Sequence, residues 1–154
     1  MCIAGTELNL SSTADIYFLS NYYNSSVLDN SSIVFKVKGE RGAKMFMLSH
    51  KKSFAALFYN IVIDGWSNVK SAIRKRSSYE VVSDDYGPPL NKTYVKPFCV
   101  SWQSNLIQTG RVSVIDTDVC LSVKDECMIA VYDIGIVGTN NNATWLFNMT
   151  SCKY

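Results

Sequence analysis

The sequence predicts an all-β chain, folded as an antiparallel two-sheet β-sandwich of the jelly-roll kind. Three observations lead there. Apolar and polar residues alternate in many short segments, and turn residues recur about every eight to twelve positions. No stretch sustains a 3.6-residue apolar period long enough for a helix. Many short strands punctuated in this way favour a sandwich over an α/β arrangement. With 154 residues, the chain is expected to form one domain over 1–154 that buries its own core.

Residues 1–31 are polar and Asn/Ser-rich, apart from Ile16-Tyr17-Phe18-Leu19, which reads as a short edge strand. From Ser32 to Val37, Ile33, Phe35 and Val37 share one face, while Val34 and Lys36 take the other. Gly39-Glu40-Arg41-Gly42 is a turn, and Ala43–Ser49 is expected to complete a hairpin with the preceding strand. His50-Lys51-Lys52-Ser53 reads as a loop.

Tyr59–Arg76 is the central hairpin. An apolar run at Tyr59, Ile61, Val62 and Ile63 breaks at Asp64-Gly65 and resumes as an alternating strand. Asp64–Asn68 is longer than a minimal turn, so the loop is expected to display Trp66. Tyr79–Val82 is a short strand, and Ser83–Lys92 a Pro/Gly/Asp loop. Tyr94–Trp102 puts Phe98, Val100 and Trp102 on one face. Leu106–Gln108 and Arg111–Ile115 read as short strands flanking Gly110. Val119–Val123 and Met128–Val137 are expected to pair across Lys124-Asp125-Glu126, with Ala143–Phe147 closing the domain. Trp102 and Trp145, on strand interiors, belong to the core.

Composition excludes several classes. A net charge of +2 gives no electrostatic footprint for nucleic acid, and no apolar run is long enough for a membrane span. His50 is the only histidine, which leaves a catalytic relay or a multi-histidine metal site little to draw on. Beside Lys51 and Lys52 it reads as a solvated residue. Asp84-Asp85 and Asp116-Thr117-Asp118 read as turn chemistry. No catalytic residue and no metal site is expected.

Six Asn-X-Ser/Thr sequons begin at Asn9, Asn24, Asn30, Asn91, Asn142 and Asn148, against roughly two expected by chance. Together with five cysteines they favour an extracellular protein. Against this, MCIAGTELNLSST has neither the basic nor the apolar region of a signal peptide; a cytoplasmic protein with reduced thiols is the alternative. Cys2 and Cys152 lie near the termini, and Cys120 and Cys127 flank an expected turn. These are the candidate disulfides. Cys99 reads as a small buried hydrophobe.

The central hairpin also resembles a known family. Tyr59, Ile61, Val62, Ile63, Gly65, Trp66, Asn68, Lys70, Ser71, Ile73 and Arg74 match the core motif of the farnesoic acid O-methyltransferase domain. Val100, Ser101 and Trp102 match its later strand, and Trp145 its terminal tryptophan, so that the likeness spans about residues 33–147. Asp64 stands where the family often has a second glycine. The family name implies methyl transfer from S-adenosylmethionine to farnesoic acid. The chain carries no G-X-G-X-X-G turn to cradle that cofactor, and no cofactor is expected.

The expected function is therefore a non-catalytic, extracellular module that binds carbohydrate or a protein partner. Trp66 as a plate, with Asp64, Asn68, Lys70 and Arg74 around it, is the candidate site: the ring would cover the C–H face of a sugar and the polar groups its hydroxyls.

Overall fold

The computed structural model describes residues 2–3, 8–12, 15–40, 42–65, 70–75, 81–85, 90–111, 119–138, 143–147 and 151–152. In chain order the strands of its first half are β1 (Cys2–Ile3), β2 (Leu8–Ser12), β3 (Tyr17–Phe18), β4 (Ser32–Gly39), β5 (Ala43–His50), β6 (Ser53–Asp64) and β7 (Lys70–Lys75). Those of the second half are β8 (Val81–Asp85), β9 (Lys96–Gln103), β10 (Leu106–Gly110), β11 (Val119–Lys124), β12 (Asp133–Gly138), β13 (Ala143–Phe147) and β14 (Ser151–Cys152). Two antiparallel six-stranded sheets result, ordered β11-β10-β9-β4-β13-β2 and β3-β12-β5-β6-β7-β8, with β1 and β14 paired separately.

The alternating residues explain how the two layers close. Ile33, Phe35 and Val37 of β4, Phe98, Val100 and Trp102 of β9, and Trp145 and Phe147 of β13 are all buried. They meet Met45, Met47, Tyr59, Ile61, Ile73, Ile134 and Ile136 of the second sheet in one apolar cluster. Phe35 sits at its aromatic centre, with ring centroids 5.4 Å from Trp145, 5.8 Å from Phe147 and 5.9 Å from Phe98. Cys99 is buried, as its strand position implies. So the faces read from alternation at β4 and β9 are core faces, and Trp145 of β13 lies in the core as expected.

Three hairpins follow their turn residues. β5 and β6 join through Lys51-Lys52, and β6 pairs β7 with Ile61 opposite Ile73. β9 and β10 join through Ser104 (φ 52°) and Asn105 (φ 62°), the doubly left-handed turn that matches strand twist. At the central turn Asp64 also takes a positive φ of 49°, and a Cβ on Gly65 would lie 2.6 Å from Val62 Cγ1. A β-branched side chain cannot swing aside there, so Gly65 is required.

Two expected hairpins do not form. β4 and β5 lie in different sheets: β4 pairs β9 and β13, whereas β5 pairs β6 and β12. Glycine-rich turns and alternating strands suit an arch between layers as well as a hairpin, so local pattern alone does not choose. Likewise β11 pairs β10, while β12 belongs to the second sheet. Residues 125–132 carry the chain across the end of the sandwich, with Met128, Ile129 and Val131 against the core. That crossing removes the hairpin turn expected between Cys120 and Cys127; Cys127 is exposed and free, and the side chain of Cys120 lies outside what the structure describes. Asp84 and Asp85 belong to the edge strand β8 rather than to a loop. Among the elements absent from the sequence reading are β2, which pairs β13, the 3-10 turn Ser25–Leu28 and the terminal pair β1 and β14.

The crossing segment is pinned to the central hairpin by Asp125. Its carboxylate accepts hydrogen bonds from the Tyr59 hydroxyl, from Lys75 Nζ at 2.6 Å and from the Cys127 N–H at 3.0 Å. Burial alone would raise the Asp125 carboxyl, but the bonds from Lys75, Tyr59 and Cys127 and the Lys75 charge together hold it below the usual carboxylate range. The Tyr59 phenol is pushed above its ordinary range, first by burial and then by its bond to Asp125 and that residue's charge. A depressed carboxyl contributes stability that is present above its unfolded pKa of about 4 and is lost as pH falls through the folded value. A raised phenol contributes below about pH 10 and loses that contribution as pH rises through its folded value. The urea midpoint of the protein should therefore fall on acidification below about pH 4. Asp125→Asn should be less stable at neutral pH, with a shallower acid limb. An acid limb of unchanged slope in the variant would show that Asp125 is not its source.

Candidate functional site

Among the described residues a cavity of about 670 Å³ opens at the end of the sandwich where the β5–β6 turn meets the 3-10 turns Leu19–Asn21 and Ser25–Leu28. That volume lies within the ~300–1,000 Å³ typical of small-ligand pockets. Its apolar wall is Leu19, Tyr23, Val27 and Leu28. Ser20, Asn24, Ser49, His50 and Lys51 supply polar groups, and Tyr132 and Asp133 complete it.

Asp133 holds these segments together. It is 2% exposed, and each of its oxygens accepts two hydrogen bonds. Oδ1 takes the N–H groups of Ser20 (3.1 Å) and Ile134 (2.8 Å). Oδ2 takes the Ser20 hydroxyl (2.7 Å) and the Lys52 N–H (2.9 Å). A carboxylate offers about four lone-pair sites, and here all four are filled. The bond to Lys52 also explains a strained turn: Lys52 sits at φ 54°, a region costly for a residue with a Cβ, and its N–H is fixed there by Asp133. Tyr132 N–H donates to Leu48 O (2.8 Å), which seats the crossing segment on β5, while its side chain remains 64% exposed at the pocket.

Ser49 and His50 are ordered by a short relay. The Ser49 hydroxyl donates to Leu57 O at 2.7 Å, so it has no proton left for His50 Nδ1, which lies 3.2 Å away. Nδ1 is therefore the ring atom that donates to Ser49, which leaves Nε2 for other partners. His50 is exposed, as expected, but it lines the pocket rather than a featureless loop.

The expected hairpin site is built differently. Asp64 is 1% exposed. Its Oδ1 accepts from Ser71 Oγ (3.1 Å) and from Arg111 Nη2 (2.9 Å), and its N–H donates to Ser71 Oγ. The positive φ turns this carboxylate inward to its ion pair, so it does not present itself to a sugar hydroxyl. Lys70 and Arg74 are partly buried on β7, with Arg74 opposite Asn60. Trp66 and Asn68 lie outside the described residues, as do Asp116, Asp118, Asn142 and Asn148. Of the other sequon asparagines, Asn9, Asn24 and Asn30 are exposed. Asn91 instead caps its own turn, with Oδ1 accepting from the N–H groups of Thr93 and Tyr94.

Sequence reasoning missed the pocket because its parts lie far apart in the chain: Ser20 and Asp133 are separated by 113 positions. One signal was present. An acid inside the apolar run Val131-Tyr132-Asp133-Ile134 must find partners if the run is buried. Asp133→Ala and Asp133→Asn should each lower stability by about 2–4 kcal/mol in urea unfolding, since an amide would place a donor against donors. A neutral Asp133→Asn variant would refute this account of the pocket.

Comparison with known proteins places the chain. The family model described as farnesoic acid O-methyl transferase matches residues 14–151. No curated protein matches the sequence. Among solved structures, a carbohydrate-binding module from Bacillus subtilis superposes with a TM-score of 0.54 at 12% identity, covering 79% of this chain and 74% of that one. A prokaryotic β-1,3-1,4-glucanase (lichenase) derived from a mouse hindgut metagenome gives 0.52 at 12% identity, covering 94% and 78%. These likenesses are of fold, and the fold they share is the β-sandwich. The family match extends over most of the sequence: the chain belongs to the farnesoic acid O-methyltransferase family.

Proposed function

We propose that the protein is a non-catalytic carbohydrate-binding module that works outside the cell as one domain over residues 1–154, and that the pocket at Tyr132 and Asp133 is its site. The observation that carries this reading is the make-up of the wall. An exposed tyrosine, an amide, an imidazole and an ammonium group line one cavity together with apolar side chains. An aromatic face covers the C–H surface of a pyranose, while the polar groups take its hydroxyls. The fold shared with a carbohydrate-binding module is consistent with this use but does not specify it.

The extracellular part of the proposal rests on the sequons and on one strand pair. Cys2 stands directly opposite Cys152 in the β1–β14 register. Opposed residues of antiparallel strands have Cα separations of about 4.5–5.5 Å, within disulfide reach. Peptide mapping of oxidised protein should recover Cys2 linked to Cys152, with Cys127 open to alkylation. Recovery of Cys127 in a bridge to Cys120 would contradict the free Cys127 of this structure.

Methyl transfer is the second reading, favoured by the family name. The strands here are antiparallel, whereas the common S-adenosylmethionine domain is a parallel α/β sheet with a glycine turn at a helix start. Calorimetric titration with S-adenosylmethionine separates the two readings, since saturable binding would support the enzyme.

Asn24 lines the pocket and begins a sequon, so a glycan attached there would stand at the mouth. The test therefore uses Asn24→Gln protein on a glycan array. Saturable binding to a sugar class is expected, weakened about tenfold or more in Tyr132→Ala with the fold intact. A blank array from folded protein would overturn the carbohydrate reading and direct the search to protein partners.

A further inference from the structure

We propose that this pocket takes an acidic saccharide, with the carboxylate or sulfate of the sugar received by Lys51 and His50. The inference rests on the carbohydrate reading above and deepens it. It follows from an inventory of what the wall has left to offer. The one carboxylate on the wall, Asp133, has both oxygens filled by four donors of the protein itself, so it can take no hydroxyl proton from a ligand. Neutral sugars are usually held by acceptors and donors together, because each hydroxyl is both. Here the strongest acceptor is spent on architecture.

The donors point the other way. Lys51 is exposed at the turn and lines the cavity, carrying three N–H groups and no acceptor. His50 has Nδ1 committed to Ser49, and its Nε2 donates once the ring is protonated. The Ser20 and Ser49 hydroxyls give their protons to Asp133 and to Leu57 O. The charge that faces the cavity is thus cationic and sits on its rim, while the negative charge is buried and satisfied beneath. An anionic substituent on a sugar matches that arrangement, with its ring against Tyr132. Charge-assisted hydrogen bonds are roughly twice as strong as neutral ones, so the acidic group should dominate selection.

Carboxylate and sulfate share this chemistry, and the experiment separates them. Binding of Asn24→Gln protein would be measured by calorimetry to a uronic-acid oligosaccharide, to its carboxyl-reduced neutral counterpart, and to a sulfated form of that neutral chain. The acidic forms should bind about five- to tenfold more tightly than the neutral one, and the preference should shrink with added salt. Lys51→Met and His50→Gln should each reduce the ratio of acidic to neutral affinity, and Lys51→Glu should abolish it. Equal affinity for neutral and acidic forms, or a preference untouched by Lys51→Glu, overturns the proposal but leaves a carbohydrate site. Binding of none of the three by folded protein overturns the carbohydrate reading itself.

Discussion

A single buried carboxylate sets the shape of the pocket end of this protein. Asp133 opens β12, yet its four hydrogen bonds run to the first 3-10 turn, to the β5–β6 turn and to its own strand. A carboxylate buried without such partners would cost several kcal/mol, so the three segments are obliged to converge on it. Their convergence leaves the space between them. The cavity is thus the residue of a polar constraint, and its walls are whatever those segments carry outward: tyrosine, amide, imidazole and ammonium.

The same device appears at the other polar positions of the sandwich. Asp64 is turned inward by a left-handed backbone and paired with Arg111 and Ser71, and Arg111 in turn lies over the Phe98 ring at 5.4 Å. Asp125 receives Tyr59 and Lys75 where the chain crosses between layers. Each of these acids joins segments remote in sequence at a place where the alternating apolar faces do not specify the connection. Apolar alternation builds the two layers, and buried acids fix how the ends are tied.

That division explains what the sequence made legible. Strands such as Ser32–Gly39 and Lys96–Gln103 declare their core faces through Ile33, Phe35, Val37, Phe98, Val100 and Trp102, because the period of two is a local property. The central hairpin declared itself through Asp64-Gly65, whose turn needs the left-handed residue and the absent side chain. Whether a turn reverses within one sheet or arches to the other is not local, and both the β4–β5 and the β11–β12 connections were misread for that reason. Asp64 looked like a binding group because its neighbours include Trp66 and Lys70; its backbone torsion, which sequence does not state, aims it at Arg111 instead. The pocket was invisible for the converse reason, since no stretch of the chain contains more than a fragment of it.

On the proposal above, the ligand enters at the Asp133 end and not at the tip of the central hairpin. Amide chemical-shift mapping during titration with a saccharide that binds tests this most directly. The largest changes should fall on Ser20, Tyr23, His50, Lys51 and Tyr132, with the amides of Lys70–Lys75 still. Changes concentrated between Asp64 and Arg74, with the Asp133 pocket silent, would contradict the proposal and return the site to the hairpin.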